Sequence, residues 1–340
     1  MPVQELPPLP SNAGEIDEET WVWTQIKAEA QRGAKSEPAL ASYLYSTIVS
    51  HSSLSRSLSF HLGNKLCSST LLYDLFLNTF SSDSSLRSTT VADLRAARIC
   101  DPACLSSHCL LNYKGFLTLQ AHRVAHKLWI QNRKPISLAL HSRVSDVFSV
   151  DIHPAARIGK GVLLEHATGL VIGETAVVGN NVSILHHVTL EGTGNVGGNR
   201  HPKIGDGVLI GAGAMVLGHV KIWEGVKIGA GSVVLIDMPP WTTAMGNPVR
   251  LVGGKEQSKR FCPWSSVEDD TVVLNCRVCI IPLLTEHRIS WIVSVIVLEG
   301  RVASLVYLMH VGVELNVLQD LDLLICWPRG LSYMDRMPNV

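Results

Sequence analysis

The chain carries no net charge, its 29 Lys and Arg balancing 29 Asp and Glu. No Lys/Arg run concentrates positive charge on one face, which argues against nucleic acid as a partner, because phosphate recognition needs a cationic footprint. No uncharged apolar run approaches the roughly 20 residues that a membrane helix requires. Cysteine is sparse: eight in 340 residues, with no disulfide-framework spacing, in a chain long enough for one large or two modest domains with an ample core. A reducing compartment is therefore expected. Cys276 and Cys279 make a lone CxxC without a second pair, so no metal is expected there. Met1–Thr20 is acidic and Pro-containing, with neither the apolar core of a signal peptide nor the Arg-rich, acid-poor character of a transit peptide. The expected location is cytoplasmic.

A six-residue rhythm is present instead, running from Ile152 to Val234. An aliphatic residue recurs at every sixth position, usually followed by Gly, with a small residue four places further on; Ile204–Leu209 and Ile210–Met215 show the unit. Six fits neither the helical period nor simple strand alternation. It fits strands that turn a corner every six residues, winding the chain into a prism with the aliphatic residue inside. Inward positions run 152, 158, 164, then 172, 178, 184, 190, then 204, 210, 216, 222, 228, 234. The two longer steps, across 164–172 and 190–204, must leave the wall as a bulge and a loop, because a packed coil tolerates no slip in register. Both contain histidine, and loops on rigid scaffolds are where function concentrates.

Upstream, residues 20–148 read as an all-helical domain. Thr20 is a candidate N-cap for a helix through Ala30, and Glu37-Pro38 opens another. Leu117, Ala121, Val124, Ala125 and Leu128 form an apolar stripe at helical spacing. Ser81–Thr90 reads as a loop before a helix over 91–99. The expected organisation is a tail over 1–19, the helical domain over 20–148, the coil domain over 149–254, and an extension over 255–340 with β-favouring runs but no rhythm and no fold reading.

Several segments resemble the serine O-acetyltransferase family over about residues 15–254: Asp101–Cys104, Tyr113–Phe116, Asp151–Ala156, His166–Gly169, Ile172–Val178 and Arg200–Ile204, with Ser59–Leu66 closest to the plant members. The resemblance implies an α+β architecture, an N-terminal all-helical domain followed by a left-handed parallel β-helix of hexapeptide repeats. It implies acetyl transfer from acetyl-CoA to the hydroxyl of L-serine, giving O-acetylserine and CoA, the first step of cysteine biosynthesis. A serine hydroxyl needs a base near pKa 7, a task suited to histidine. The resemblance makes His166 that base and Asp151 the carboxylate that orients it; they lie fifteen residues apart, on neighbouring turns of the coil and close enough to meet. Arg200 and His201 are carried over as partners of the substrate carboxylate and the developing oxyanion, and Asp101 as a partner of its ammonium, although an N-cap role before Pro102 competes. Glu165, where the family has Asp, is the remaining substrate-binding candidate.

CoA is expected on the later coils at Ala212, Gly213, Ala230 and Gly231, small residues that corners also require. A metal at His186-His187 is not expected, on the argument that neighbours on a strand point to opposite faces. The family forms homotrimers and dimers of trimers. Its short tail, which engages O-acetylserine sulfhydrylase, is replaced here by some 85 residues, so that complex is not expected. Glu191-Gly192 replaces a Gly-Gly pair, Asn199 an acid, and Trp223 a corner Gly, which would put a large ring near the CoA end. These departures keep two alternatives open: a weakly active regulatory or scaffold subunit, and an acetyltransferase of the same fold with another acceptor.

Overall fold

The computed structural model describes residues 18–67, 70–100, 105–194 and 197–252. Asp101 and the extension beyond 254 lie outside the described residues. Among the described residues eight α-helices come first: α1 (Glu18–Ser36), α2 (Ala41–Leu44), α3 (Leu54–Leu66), α4 (Thr70–Ser82), α5 (Ser84–Cys100), α6 (Ser106–Asn112), α7 (Lys114–Ile130) and α8 (Lys134–Phe148). A 3₁₀ turn over Pro38–Leu40 begins where Glu37-Pro38 predicted a helix start, the Glu37 carboxylate accepting from the Ala39 N–H. In α7 the apolar stripe is buried, and so is everything else from Gly115 to Ala125, because α4, α5, α6, α8 and the strand Leu163–Leu164 all pack against this helix.

The loop expected over Ser81–Thr90 is almost entirely helix. Asp83 alone separates α4 from α5 and accepts from the Leu86 N–H at 3.2 Å. The hydroxyls of Ser88, Thr89 and Thr90 bond carbonyls three or four residues back, so the Ser/Thr run is satisfied within the helix. Cys67 is free, whereas Cys109 is disulfide-bonded, which the cysteine spacing does not anticipate.

After Phe148 the chain winds into a left-handed parallel β-helix of three faces. The first stacks β1 (Asp151–Ile152), β4 (Val171–Ile172), β7 (Thr189–Glu191), β10 (Met215–Leu217) and β13 (Val233–Val234). The second stacks β2 (Arg157–Ile158), β5 (Val177–Val178), β8 (Lys203–Ile204) and β11 (Lys221–Ile222). The third stacks β3 (Leu163–Leu164), β6 (Ser183–Ile184), β9 (Leu209–Ile210), β12 (Lys227–Ile228) and β14 (Thr243–Met245), closed by the antiparallel β15 (Arg250–Val252). An undisturbed coil takes eighteen residues, as from Val171 to its partner Thr189. The first slip lengthens a coil to twenty, Asp151 to Val171, and the second to twenty-six, Thr189 to Met215. Rhythm positions from Ile152 to Val234 fill the interior, fully buried apart from the half-buried Ile158.

A buried ion pair ties the helices to the first coil. Arg123 reaches Asp93 through Nε at 2.8 Å and Nη2 at 3.0 Å, and donates to the carbonyls of Ile158 and Gly159. Asp93 also accepts from Gln120 and from the Val162 N–H, so neither charge is left without partners. Close approach of backbones at the same junction demands Gly115, where a Cβ would stand 1.7 Å from the Leu164 carbonyl oxygen.

Candidate active site

Each slip leaves the wall at a different corner of the prism. Residues 165–170 turn from the third face to the first, and residues 192–202 from the first face to the second. The first slip absorbs its extra residues by placing His166 and Ala167 in the left-handed region, at φ +57° and +56°. Two consecutive non-glycine residues there cost roughly 1–2 kcal/mol each. The outcome is an imidazole turned outward, its side chain 70% exposed, above an Ala167 that fills the interior.

Around His166, the Glu165 carboxylate lies 4.0 Å from Nε2. The His186 ring stands edge-on, with centroids 5.9 Å apart. Burial, and then the neighbouring His187 and His166, hold the His186 pKa below its ordinary value. Lys114, from the start of α7, donates to the Thr168 hydroxyl, and burial lowers its pKa too. Further down this corner lie Ala212 and Gly213, then Ala230 and Gly231, one coil apart. A Cβ on Gly213 would meet only the Gly231 nitrogen, at 4.0 Å, and one on Gly231 nothing, so the column is open on its outer side.

Asp151 begins the first face at this corner's end, but its carboxylate bonds His141 of α8, Oδ1 to Nε2 at 2.9 Å. Among the described residues no hydrogen bond or ion pair joins Asp151 to His166. Nothing in the spacing around Asp151 signals His141, ten residues upstream on a helix.

At the other corner His201 is held firmly. Its side chain is 2% exposed, and Nδ1 receives both the Thr175 N–H at 3.1 Å and the Thr175 hydroxyl at 2.8 Å. Two donors on Nδ1 leave the neutral ring's proton on Nε2. The Thr175 oxygen in turn accepts from the backbone N–H groups of Arg200 and His201. Gly173 is required beneath the ring, since a Cβ there would lie 2.1 Å from it. Glu191 Oε2 stands 3.3 Å from His201 Nε2, a contact the sequence reading missed; the Glu-for-Gly departure was its only signal.

Within one chain, then, His166 and Arg200-His201 are separated by a face of the prism, about 13 Å for four extended residues. Two expectations change. His186 and His187 sit at a corner and not on a strand, so their rings come within 5.4 Å and do not point to opposite faces. Trp223 stands at the corner between the second and third faces, away from the Ala212–Gly231 column, 46% exposed with Lys221 against its ring, so it does not crowd the interior.

Comparisons with known proteins bear on this geometry. The family described as "Serine acetyltransferase, N-terminal" matches residues 22–121, and "Bacterial transferase hexapeptide (six repeats)" matches residues 201–235. Serine acetyltransferase 5 of Arabidopsis thaliana is 73% identical over 260 residues, covering 74% of this chain and 83% of that protein. This chain belongs to the serine acetyltransferase family. Among solved structures, the soybean serine acetyltransferase complexed with serine superimposes with a TM-score of 0.68 at 78% identity, over 70% of this chain and all of that one. The Brucella abortus serine acetyltransferase in complex with coenzyme A gives 0.69 at 42% identity, over 72% and 99%. The family assignment thus spans both the helices and the β-helix. No described helix is long and apolar enough to cross a membrane.

Proposed function

We propose that this chain transfers acetyl from acetyl-CoA to the hydroxyl of L-serine. The observation that carries the reading is His166, lifted out of the wall at the head of a column of small residues, in a chain 73% identical to a serine acetyltransferase. His166 takes the serine hydroxyl proton as the oxygen attacks the thioester carbonyl; the tetrahedral adduct then expels CoA thiolate, which recovers the proton from the imidazolium. The His201 Nε2–H and the Arg200 guanidinium serve as donors for the substrate carboxylate or the oxyanion. Asp101 and Glu165 serve the substrate ammonium, and Ala212, Gly213, Ala230 and Gly231 let the pantetheine arm lie against backbone.

Because His166 and His201 occupy different corners, a site using both is completed by the corner of a neighbouring chain, which supports a homotrimer. Asp151 orients His166 either through Oδ2, the oxygen His141 does not engage, or by a rotamer change at an exposed carboxylate that leaves His141. That engagement favours the second reading, a weakly active regulatory subunit.

The deciding measurement is thiol release from acetyl-CoA with serine, homoserine or a sugar as acceptor, for the native chain and His166→Ala. Serine-dependent release that His166→Ala removes supports the enzyme. Native release no greater than that of the variant would sink it, and preference for the sugar would reassign the acceptor.

A further inference from the structure

The ring of His201 is buried, and Nδ1 is saturated by the N–H and hydroxyl of Thr175, so Nε2–H is the one donor this side chain can offer a ligand. The Glu191 carboxylate stands against that nitrogen, with Oε2 at 3.3 Å from Nε2. The same oxygen also accepts from the Gly192 N–H at 3.1 Å. Gly192 itself lies against the Arg200 stem, where a Cβ would come within 2.9 Å of Cγ. His201 Nε2–H and Gly192 N–H therefore form a small carboxylate receptor beside a guanidinium-bearing side chain. A carboxylate of the chain itself occupies it.

We propose that Glu191 is an internal competitor for the carboxylate of the amino-acid acceptor. Resting on the acetyl-transfer reading above, the proposal makes Glu191 a specificity-determining residue. A substrate carboxylate must displace it from His201 and Gly192, whereas an acceptor lacking that group binds without the contest. The Glu191 side chain is 41% exposed, so it can swing into solvent when displaced, and the competition is finite. An ion pair of this exposure is weak. Releasing it corresponds to about a two- to five-fold change in apparent affinity.

The test uses the full chain with Glu191→Gln, which keeps the shape without the charge, and Glu191→Gly, which opens the receptor. Initial rates are measured with L-serine and with L-serinamide, whose carboxylate is replaced by a neutral amide. The expected result is a KM for serine about two- to five-fold lower in both variants, with little change in kcat and an unchanged KM for serinamide. An unchanged or raised KM for serine in Glu191→Gln overturns the proposal, as does an equal fall for serinamide. If the native chain releases no CoA with serine, the acetyl-transfer reading is what fails. Calorimetric titration of L-serine then decides the proposal alone: tighter binding to Glu191→Gln supports it, and equal or weaker binding overturns it.

Discussion

The two slips of the β-helix hold their histidines in opposite ways. His166 is 70% exposed on a left-handed bulge, and among the described residues its ring nitrogens meet only a distant Glu165 carboxylate. His201 is 2% exposed and clamped through Nδ1, its proton assigned to Nε2 by two donors on the other side. The difference teaches a division of labour. On the proposed roles, the ring that gains and loses a proton keeps its freedom to move, whereas the ring that only donates gains from being immobile.

The contrast can be broken most strongly at its exposed member. His166→Ala should cut serine-dependent CoA release by about 10²–10⁴-fold, the usual range for a general base, while leaving thermal stability nearly unchanged because the ring packs against little. Loss of stability without loss of rate would reverse the assignment. At the clamped member the order inverts. Gly173→Ala would drive a methyl into the His201 ring, and overpacking of this kind costs about 1–3 kcal/mol in denaturant melts. The open Gly213 and Gly231 have no such neighbour.

The same distinction extends into the helices. His61 is buried with Nε2 2.8 Å from the Leu111 carbonyl, and desolvation lowers its pKa to about 4. A base whose folded pKa is depressed binds fewer protons folded than unfolded, so stability is full above the unfolded value near 6.5 and falls as pH drops towards 4. Between pH 7 and pH 5 His61 alone should remove about 2 kcal/mol, read as a shift of the denaturant midpoint; His61→Gln should flatten that slope. The smallest effect is expected from Thr175→Val. It removes the hydroxyl that joins Nδ1 to two backbone N–H groups, for about 1 kcal/mol, and should lower kcat more than it raises KM by loosening the ring.

Much of this architecture was legible in the chain. The aliphatic positions counted at six-residue steps line the prism, and the longer steps reappear as coils of twenty and twenty-six residues. Even the separation of the two histidines was countable: the first slip follows a third side and the second follows a first side, so they cannot share a corner. The Ser81–Thr90 segment misled because hydroxyls that favour loops can also bond backward along a helix once packing holds it. His186 and His187 misled because strand alternation does not apply at a corner.

The sequence by itself determined the coil, its interior and the places where it opens. Interior spacing is a local constraint, repeated at every turn, so each residue votes for the same answer. Only the tertiary structure decided the partners: His141 of a helix on Asp151, Thr175 on one side of His201, and Glu191 on the other. Those contacts join residues 10 to 26 positions apart. No periodicity records them, because they depend on which rotamers the packed coils leave within hydrogen-bond reach.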